Sequence, residues 1–374
     1  MRKADIPMEQ PSFQILCTVC REPSRNELAW RCWKCGNPLT TEVRTPFDKR
    51  KILESDYSMW RYRSMLSFIG ERLISMGEGL TPLVSLNHGN TMLKLDFVMP
   101  TGSFKDRGSS AMLSTIVGRL KVKKRLIEDS SGNAGASVAA YSAKAGLSCD
   151  VYAPQKVSEA KARQITAYGA RLHRIRGSRE DVSRAAQKAR GLYVSHVWNP
   201  FFNEGMKTLA YEIAEQLLWN APEHVFLPVS VGGLLLGVIK GFKEMMLSGT
   251  IRSIPTITAV QPLNVSPLFH AFHGRDYRPR RNQGTVADAL ISHKPPRLGE
   301  MVSALRQVGG KCIALKEREI LDATNELARK GIYAEPSGAV AFGGWQKLVK
   351  NGKISSDSRV VLVLTGSGLK TGLA

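Results

Sequence analysis

Four cysteines fall within nineteen positions, as Cys17-Thr-Val-Cys20, eleven residues, then Cys32-Trp-Lys-Cys35. Two such knuckles can supply four thiolates to a tetrahedral zinc, and four protein ligands leave no open position for a catalytic water. The gap is shorter than that of most paired knuckles, and a short β-hairpin is expected to bridge it. A redox pair is the competing reading of a lone Cys-x-x-Cys, but two in tandem favour metal. Cys17, Cys20, Cys32 and Cys35 are therefore the expected ligands of a structural zinc. The start, MRKADIPMEQPS, has no apolar core of the secretory kind, so disulfides explain the cluster poorly.

A second group of residues could do carbonyl and anion chemistry. Pro100-Thr101-Gly102-Ser103-Phe104-Lys105-Asp106-Arg107-Gly108 places a lysine at a helix start behind a glycine turn. Ser103 could cap that helix. The helix dipole and nearby cations would then lower the Lys105 amine pKa, giving the neutral amine that Schiff-base chemistry requires. Alone, the motif reads equally as a solvated lysine after a turn. Ser130-Ser131-Gly132-Asn133-Ala134-Gly135 puts small residues and free N–H groups at another helix start, a place for a carboxylate or phosphate. Asn133 adds a side-chain donor. Ser230-Val231-Gly232-Gly233 follows a strand and opens a helix, as a phosphate cradle does. Gly237 is expected to let that helix pack closely on the sheet. Both turns read also as ordinary strand-to-helix connections. Glu335-Pro336-Ser337-Gly338-Ala339 starts a helix. Thr365 follows the hydrophobic run Val361–Leu364, where ligands collect at the carboxyl ends of strands in an open α/β sheet.

These groups need a frame. Up to about residue 45 the chain reads as a small appended module, followed by a charged connector, Asp48 to Asp56. After about residue 80, short apolar runs alternate with helical patterns. Strands are expected at 125–128, 148–153, 171–175, 225–229, 255–260, 312–315 and 359–364. Helices are expected at 134–145, 158–168, 179–189, 204–219, 233–247, 317–330 and 337–348. This alternation argues for parallel sheet with helices on its faces. One sheet across so long a stretch would be unusual, so two α/β lobes with a cleft between them are expected.

Composition narrows the class. The 374 residues are 43% hydrophobic, enough for a large core and about two domains. The longest apolar stretch, Val225 to Ile239, is broken by Pro228, Ser230 and glycines, so no membrane span is expected. A cytoplasmic protein is expected. The net charge is +21, from 53 basic and 32 acidic residues. That excess is dispersed, with short clusters at Lys121–Arg125 and Arg275–Arg281 and no aromatic-basic nucleic-acid motif, so a nucleic-acid partner is not expected.

Taken together and in order, the motifs resemble the fold-type-II pyridoxal-phosphate (PLP) enzymes, of tryptophan synthase β type, and the threonine synthase family most closely. The resemblance covers nearly the whole chain. Trp60-Arg61-Tyr62 and Gly77-Glu78-Gly79-Leu80-Thr81-Pro82-Leu83 are similar to that family's opening segments. Gly102–Gly108 resembles its PLP-lysine motif, Ser131-Gly132-Asn133 its asparagine loop, and Leu364–Lys370 its C-terminal signature. Some members carry an N-terminal zinc ribbon. The resemblance implies a zinc-ribbon module at 1–45, a large PLP-binding α/β domain at 46–95 and 207–374, and a smaller α/β domain at 96–206.

The resemblance also implies roles. Lys105 would hold PLP as a Schiff base and act as general acid and base. Asn133 would hold the cofactor's phenolic oxygen, Gly232 and Gly233 its phosphate, and Thr365 its pyridine nitrogen. Ser131 and Gly132 would receive the substrate carboxylate. Phe202 stands where the family has an arginine and His196 where it has an asparagine that together grip the substrate's phosphate, and Val231 where its loop has another asparagine that binds that phosphate. Losing a bidentate arginine removes the strongest side-chain contact to a phosphate. The expected activity is β- or γ-elimination or replacement on a small amino acid, by a homodimer. A serine/threonine dehydratase or a β-replacing synthase that does not use phosphohomoserine is the alternative enzyme. A zinc-ribbon nucleic-acid binder on an inactive scaffold is the alternative outside catalysis.

Overall fold

The computed structural model describes residues 13–43, 47–68, 70, 72–86, 89–119, 124–130, 132–155, 157–279 and 284–371. The N-terminal module opens on strand β1 (Phe13–Cys17), which pairs antiparallel with β2 (Leu39–Val43). The expected hairpin is therefore not in the gap between the knuckles. The strands flank the knuckles from outside, and residues 21–31 are turns with one bridge, Leu16 to Pro23. Two short strands follow, β3 (Leu83–Ser85) and β4 (Thr91–Leu95), before helix α1 (Lys105–Arg119).

The next stretch alternates strictly: β5 (Leu126–Glu128), α2 (Asn133–Ala145), β6 (Cys149–Pro154), α3 (Glu159–Ala167), β7 (Arg171–Ile175), α4 (Arg179–Lys188) and β8 (Leu192–Tyr193). Its four strands form one parallel sheet in the order β7-β6-β5-β8. Helix α5 (Pro200–Gln216) begins before the expected 204, because Asn199 caps it by accepting from the Phe201 N–H at 3.0 Å and Pro200 suits its first turn. Then come β9 (His224–Pro228), α6 (Gly233–Leu247), β10 (Thr256–Pro262), α7 (Pro267–Phe272), α8 (Leu298–Gln307), β11 (Lys311–Leu315), α9 (Glu317–Arg329), α10 (Pro336–Lys350) and β12 (Val360–Leu364).

The larger sheet has the order β11-β10-β9-β12-β4-β3, parallel except for the edge pair β3–β4. Its central strands β9, β10 and β12 are buried on both faces, which is why they read as continuous apolar runs. Val225, Leu227, Val361 and Val363 point into one core, with residues of α1, α5 and α6. Phe226, Leu362 and Leu364 point into the other, with residues of α9 and α10. The last strand, β12, slots between β9 and β4. The carboxyl ends of β9 and β12 thus lie side by side, and both release a glycine-bearing loop at the same edge, where α/β sheets bind ligands. No helix of the described residues is long and apolar enough to cross a membrane.

Candidate active site and metal centre

The loop before α1 is held by the chain's last turn. The Phe104 N–H donates to the Thr365 carbonyl (3.0 Å), the Ser367 N–H to the Gly102 carbonyl (3.0 Å), and Lys370 Nζ to the Thr101 carbonyl (2.7 Å). The Asp106 carboxylate accepts from the Thr101 N–H (2.7 Å), the Thr101 hydroxyl (2.6 Å) and the Ser137 hydroxyl (2.6 Å). Ser103 does not cap α1 as expected. Its hydroxyl is buried with no hydrogen-bond partner among the described residues, and Asp106 organises the turn in its place.

Lys105 emerges from this loop into a buried setting. Burial draws its amine down to about 8, while Glu128 and Glu335 pull the other way. The charged neighbours that act on this amine are carboxylates, not the expected cations, and burial is what lowers it. Glu335 was not among the expected site residues. A glutamate before a helix-opening proline looks like an ordinary helix start, and nothing local shows that it faces a loop some two hundred positions away.

One cleft is walled by Lys105, Asn133, Gly232, Gly233, Glu335 and Thr365. Asn133 Nδ2 donates to Glu335 Oε1 at 2.9 Å. Asn133 Oδ1 and Glu335 Oε2 are buried and without partners among the described residues. Gly232 caps α6 with φ +98°, and a Cβ there would meet Met301 Sδ at 2.5 Å, so only glycine lets this loop present its N–H groups. Gly237 does not meet the sheet. A Cβ there would strike Met206 Cβ at 2.5 Å, so it permits close packing of α6 on α5. Gly132 is the N-cap of α2 and leaves that helix start uncapped by any side chain. Ser131 lies outside the described residues.

His196 lies beside this cleft, not in its wall. Its Nδ1 is 2.7 Å from Glu128 Oε1, and its N–H donates to Glu128 Oε2 at 3.1 Å. Burial first, and the Lys105 charge second, hold its pKa well below the usual histidine range. Its ring centroid is 5.8 Å from that of Phe202, and the Phe202 centroid is 6.0 Å from Lys105 Nζ. Two nearby cations are engaged elsewhere. Arg107 is fully buried on Asp96 (2.6 Å) and Glu212 (2.7 Å), and Lys207 on Glu204 (2.9 Å) and Glu244 (3.1 Å).

The cysteines converge in the N-terminal module. The Sγ atoms of Cys17, Cys20, Cys32 and Cys35 all lie within 4.8 Å of one another and form no disulfide. Three separations are 3.4, 3.4 and 3.7 Å. A tetrahedron with metal–sulfur bonds of about 2.3 Å has edges of about 3.8 Å. The Val19 and Lys34 N–H groups each donate to a thiol sulfur at 3.4 Å, and Asn37 Nδ2 donates to Cys35 Sγ at 3.3 Å. Donors aimed at sulfur suit thiolates bound to a cation.

Residues 74–366 match the family described as "Pyridoxal-phosphate dependent enzyme". The chain is 34% identical to a threonine synthase of Methanocaldococcus jannaschii, over 92% of this chain and 89% of that one. It is 32% identical to a threonine synthase of Methanosarcina acetivorans, over 96% and 92%. Among solved structures it resembles an L-serine ammonia-lyase from Rhizomucor miehei, with TM-score 0.68, 22% identity, and 77% of this chain and 94% of that chain covered. It likewise resembles the processed form of threonine deaminase isoform 2 from Solanum lycopersicum, with TM-score 0.63, 22% identity, and coverage of 75% and 75%. With the motif lysine, the two glycine-bearing loops and Thr365 gathered in one cleft of this fold, the chain belongs to the pyridoxal-phosphate dependent enzymes, within them to the threonine synthase family, and is a PLP-dependent lyase.

Proposed function

We propose that PLP is held by Lys105, Asn133, Gly232, Gly233 and Thr365, and that the substrate is a small amino acid whose side chain carries no phosphate. The observation that carries the cofactor reading is the cleft itself, where these five side chains and loops share one wall. The residues suit the group. The N–H groups at the start of α6 suit an anion, the unpaired Asn133 oxygen suits a phenolic hydroxyl, and Lys105 has an amine that sheds its proton at about 8 rather than 10.5. Bound there, PLP would supply an electron sink for the carbon that bears the amino group.

The protein groups divide the rest of the work. Lys105 Nζ moves protons at the substrate's carbons. The Thr365 hydroxyl orients the ring nitrogen without placing a formal charge on it, which favours elimination and replacement over transamination. Gly132, the N-cap of α2, is placed to receive the substrate carboxylate.

The substrate reading rests on what faces Lys105. Phe202 offers a phosphate dianion nothing, and His196 is held neutral by burial. Arg107 and Lys207 are locked in buried ion pairs. An unpartnered dianion here would cost several kcal/mol, or orders of magnitude in binding. A second reading, threonine formation from phosphohomoserine, is favoured by the relatives named threonine synthase. Steady-state kinetics on phosphohomoserine, serine and threonine, reading phosphate, ammonia and keto acid together, decides between them. Ammonia and keto acid without phosphate is the expected result. Efficient phosphate release with threonine as product would establish the second reading.

We further infer that Cys17, Cys20, Cys32 and Cys35 bind one structural zinc, supported by their four converging sulfurs.

A further inference from the structure

Residues 193–204 carry His196 and Phe202 on the side toward Lys105. On their other side they meet the cysteine module at several points. The Trp30 ring stands edge-on to Tyr193 at 5.1 Å and to Trp198 at 5.2 Å. Phe13, on β1, meets Phe201 edge-on at 5.9 Å. The Thr41 hydroxyl, on β2, donates to Glu204 Oε1 at 2.7 Å, and this buried carboxylate is also gripped by Lys207 and Lys240. Arg297, just before α8 and 2% exposed, joins the two sides directly. Its Nη2 donates to the Leu39 carbonyl at 2.8 Å, its Nε to the Val197 carbonyl at 3.1 Å, and its Nη1 pairs with Glu300 at 2.8 Å.

We propose that the cysteine module is a strut for the active-site wall, and that Arg297 is the positioning residue that joins Leu39 of the module to Val197 of the wall. The module is thus more than an appended ornament. Its strand β2 and its Trp30 fix the backbone from which His196 and Phe202 project. A planar guanidinium that satisfies two carbonyls from separate segments holds both in register, a geometry a lysine cannot reproduce. Shifts of about 1 Å in such supporting contacts are enough to spoil an aligned site. The effect on catalysis rests on the reading above that residues 196–202 face the substrate. The strut itself does not.

The test uses the full-length, PLP-loaded protein. The first measurement is hydrogen exchange of residues 193–204 in the wild type, Arg297→Ala and Arg297→Lys, and in wild type stripped of metal with a chelator. Exchange of this segment should speed up in Arg297→Ala and in the metal-stripped protein, with Arg297→Lys intermediate, while the visible absorbance of bound PLP persists. The second is the KM for whichever of serine, threonine or phosphohomoserine the enzyme turns over, which should rise about tenfold in Arg297→Ala with a smaller change in kcat. If Arg297→Ala fails to fold, Trp30→Phe carries the same two measurements. Unchanged exchange at 193–204 in both the variant and the stripped protein would overturn the strut. Faster exchange with an unchanged KM would uphold the strut and count against placing this segment at the substrate.

Discussion

The carboxamide of Asn133 donates to the carboxylate of Glu335 at 2.9 Å, so the first residue of α2 and the residue before α10 meet inside the cleft. One oxygen of each is buried without a partner among the described residues, a state that a bound group would relieve. Asn133→Ala should weaken PLP binding about two- to tenfold, the worth of a hydrogen bond between neutral groups. Titration of the apoprotein with PLP, followed by absorbance, measures this. An unchanged affinity would remove Asn133 from the cofactor site.

The purified protein should be yellow, and Lys105→Ala colourless. Borohydride reduction followed by peptide mapping should tag Lys105. A tag on any other lysine would show that the 102–108 motif does something else.

Burial lowers the Lys105 amine from its ordinary 10.5 to about 8 in the folded apoprotein. Between these values the unfolded chain holds a proton that the folded chain has released, so stability rises with pH from about 8 to about 10.5. Below about 8 both states are protonated and the cost of burying the ammonium is fully present. The neutral amine also becomes the major form through about 8. The rate at which apoprotein captures PLP, read by rapid mixing, should therefore climb through this pH. A flat profile from about 7 to 9 would mean that Lys105 is not the capturing group.

The protein should contain about one zinc per chain, and Cys32→Ser with Cys35→Ser should abolish it, because two thiolates cannot close a tetrahedral shell. Metal analysis measures this directly. Full zinc in that double variant would place the metal elsewhere.

Arg107 serves stability. It is buried against Asp96 and Glu212, and Lys94 joins Glu212 at 2.9 Å. Arg107→Met should destabilise by about 3–5 kcal/mol, because it strands buried carboxylates without their partner. Chemical denaturation checks it. A loss under about 1 kcal/mol would mean that the network relaxes without its arginine.

Local pattern was enough to read much of this protein. The βα alternation from 126 to 193 shows in periods of two and three to four residues, and observed boundaries such as α6 at Gly233–Leu247 and β7 at Arg171–Ile175 coincide with those expected. Lys105, Asn133, Gly232, Gly233 and Thr365 each sit at an element boundary, where backbone geometry restricts residue type, and the fold brings all five to one cleft. The four cysteines stood out by their close spacing, and their sulfurs do converge in space. Other features depended on contacts between distant segments. The strand β4 is short and weakly patterned, and it is secured by β12, some 270 residues later. Glu335 faces the cleft because α10 begins beside the loop of Asn133. Gly237 proved to serve helix packing because α5, not the sheet, lies behind it. Arg297 reads as one cation among 53 basic residues. Its burial between Leu39 and Val197 arises only when three separate stretches of chain close around it. Sequence spacing carries local geometry and ligand chemistry, whereas the partners of a buried charge are set by long-range packing, which no short window of residues contains.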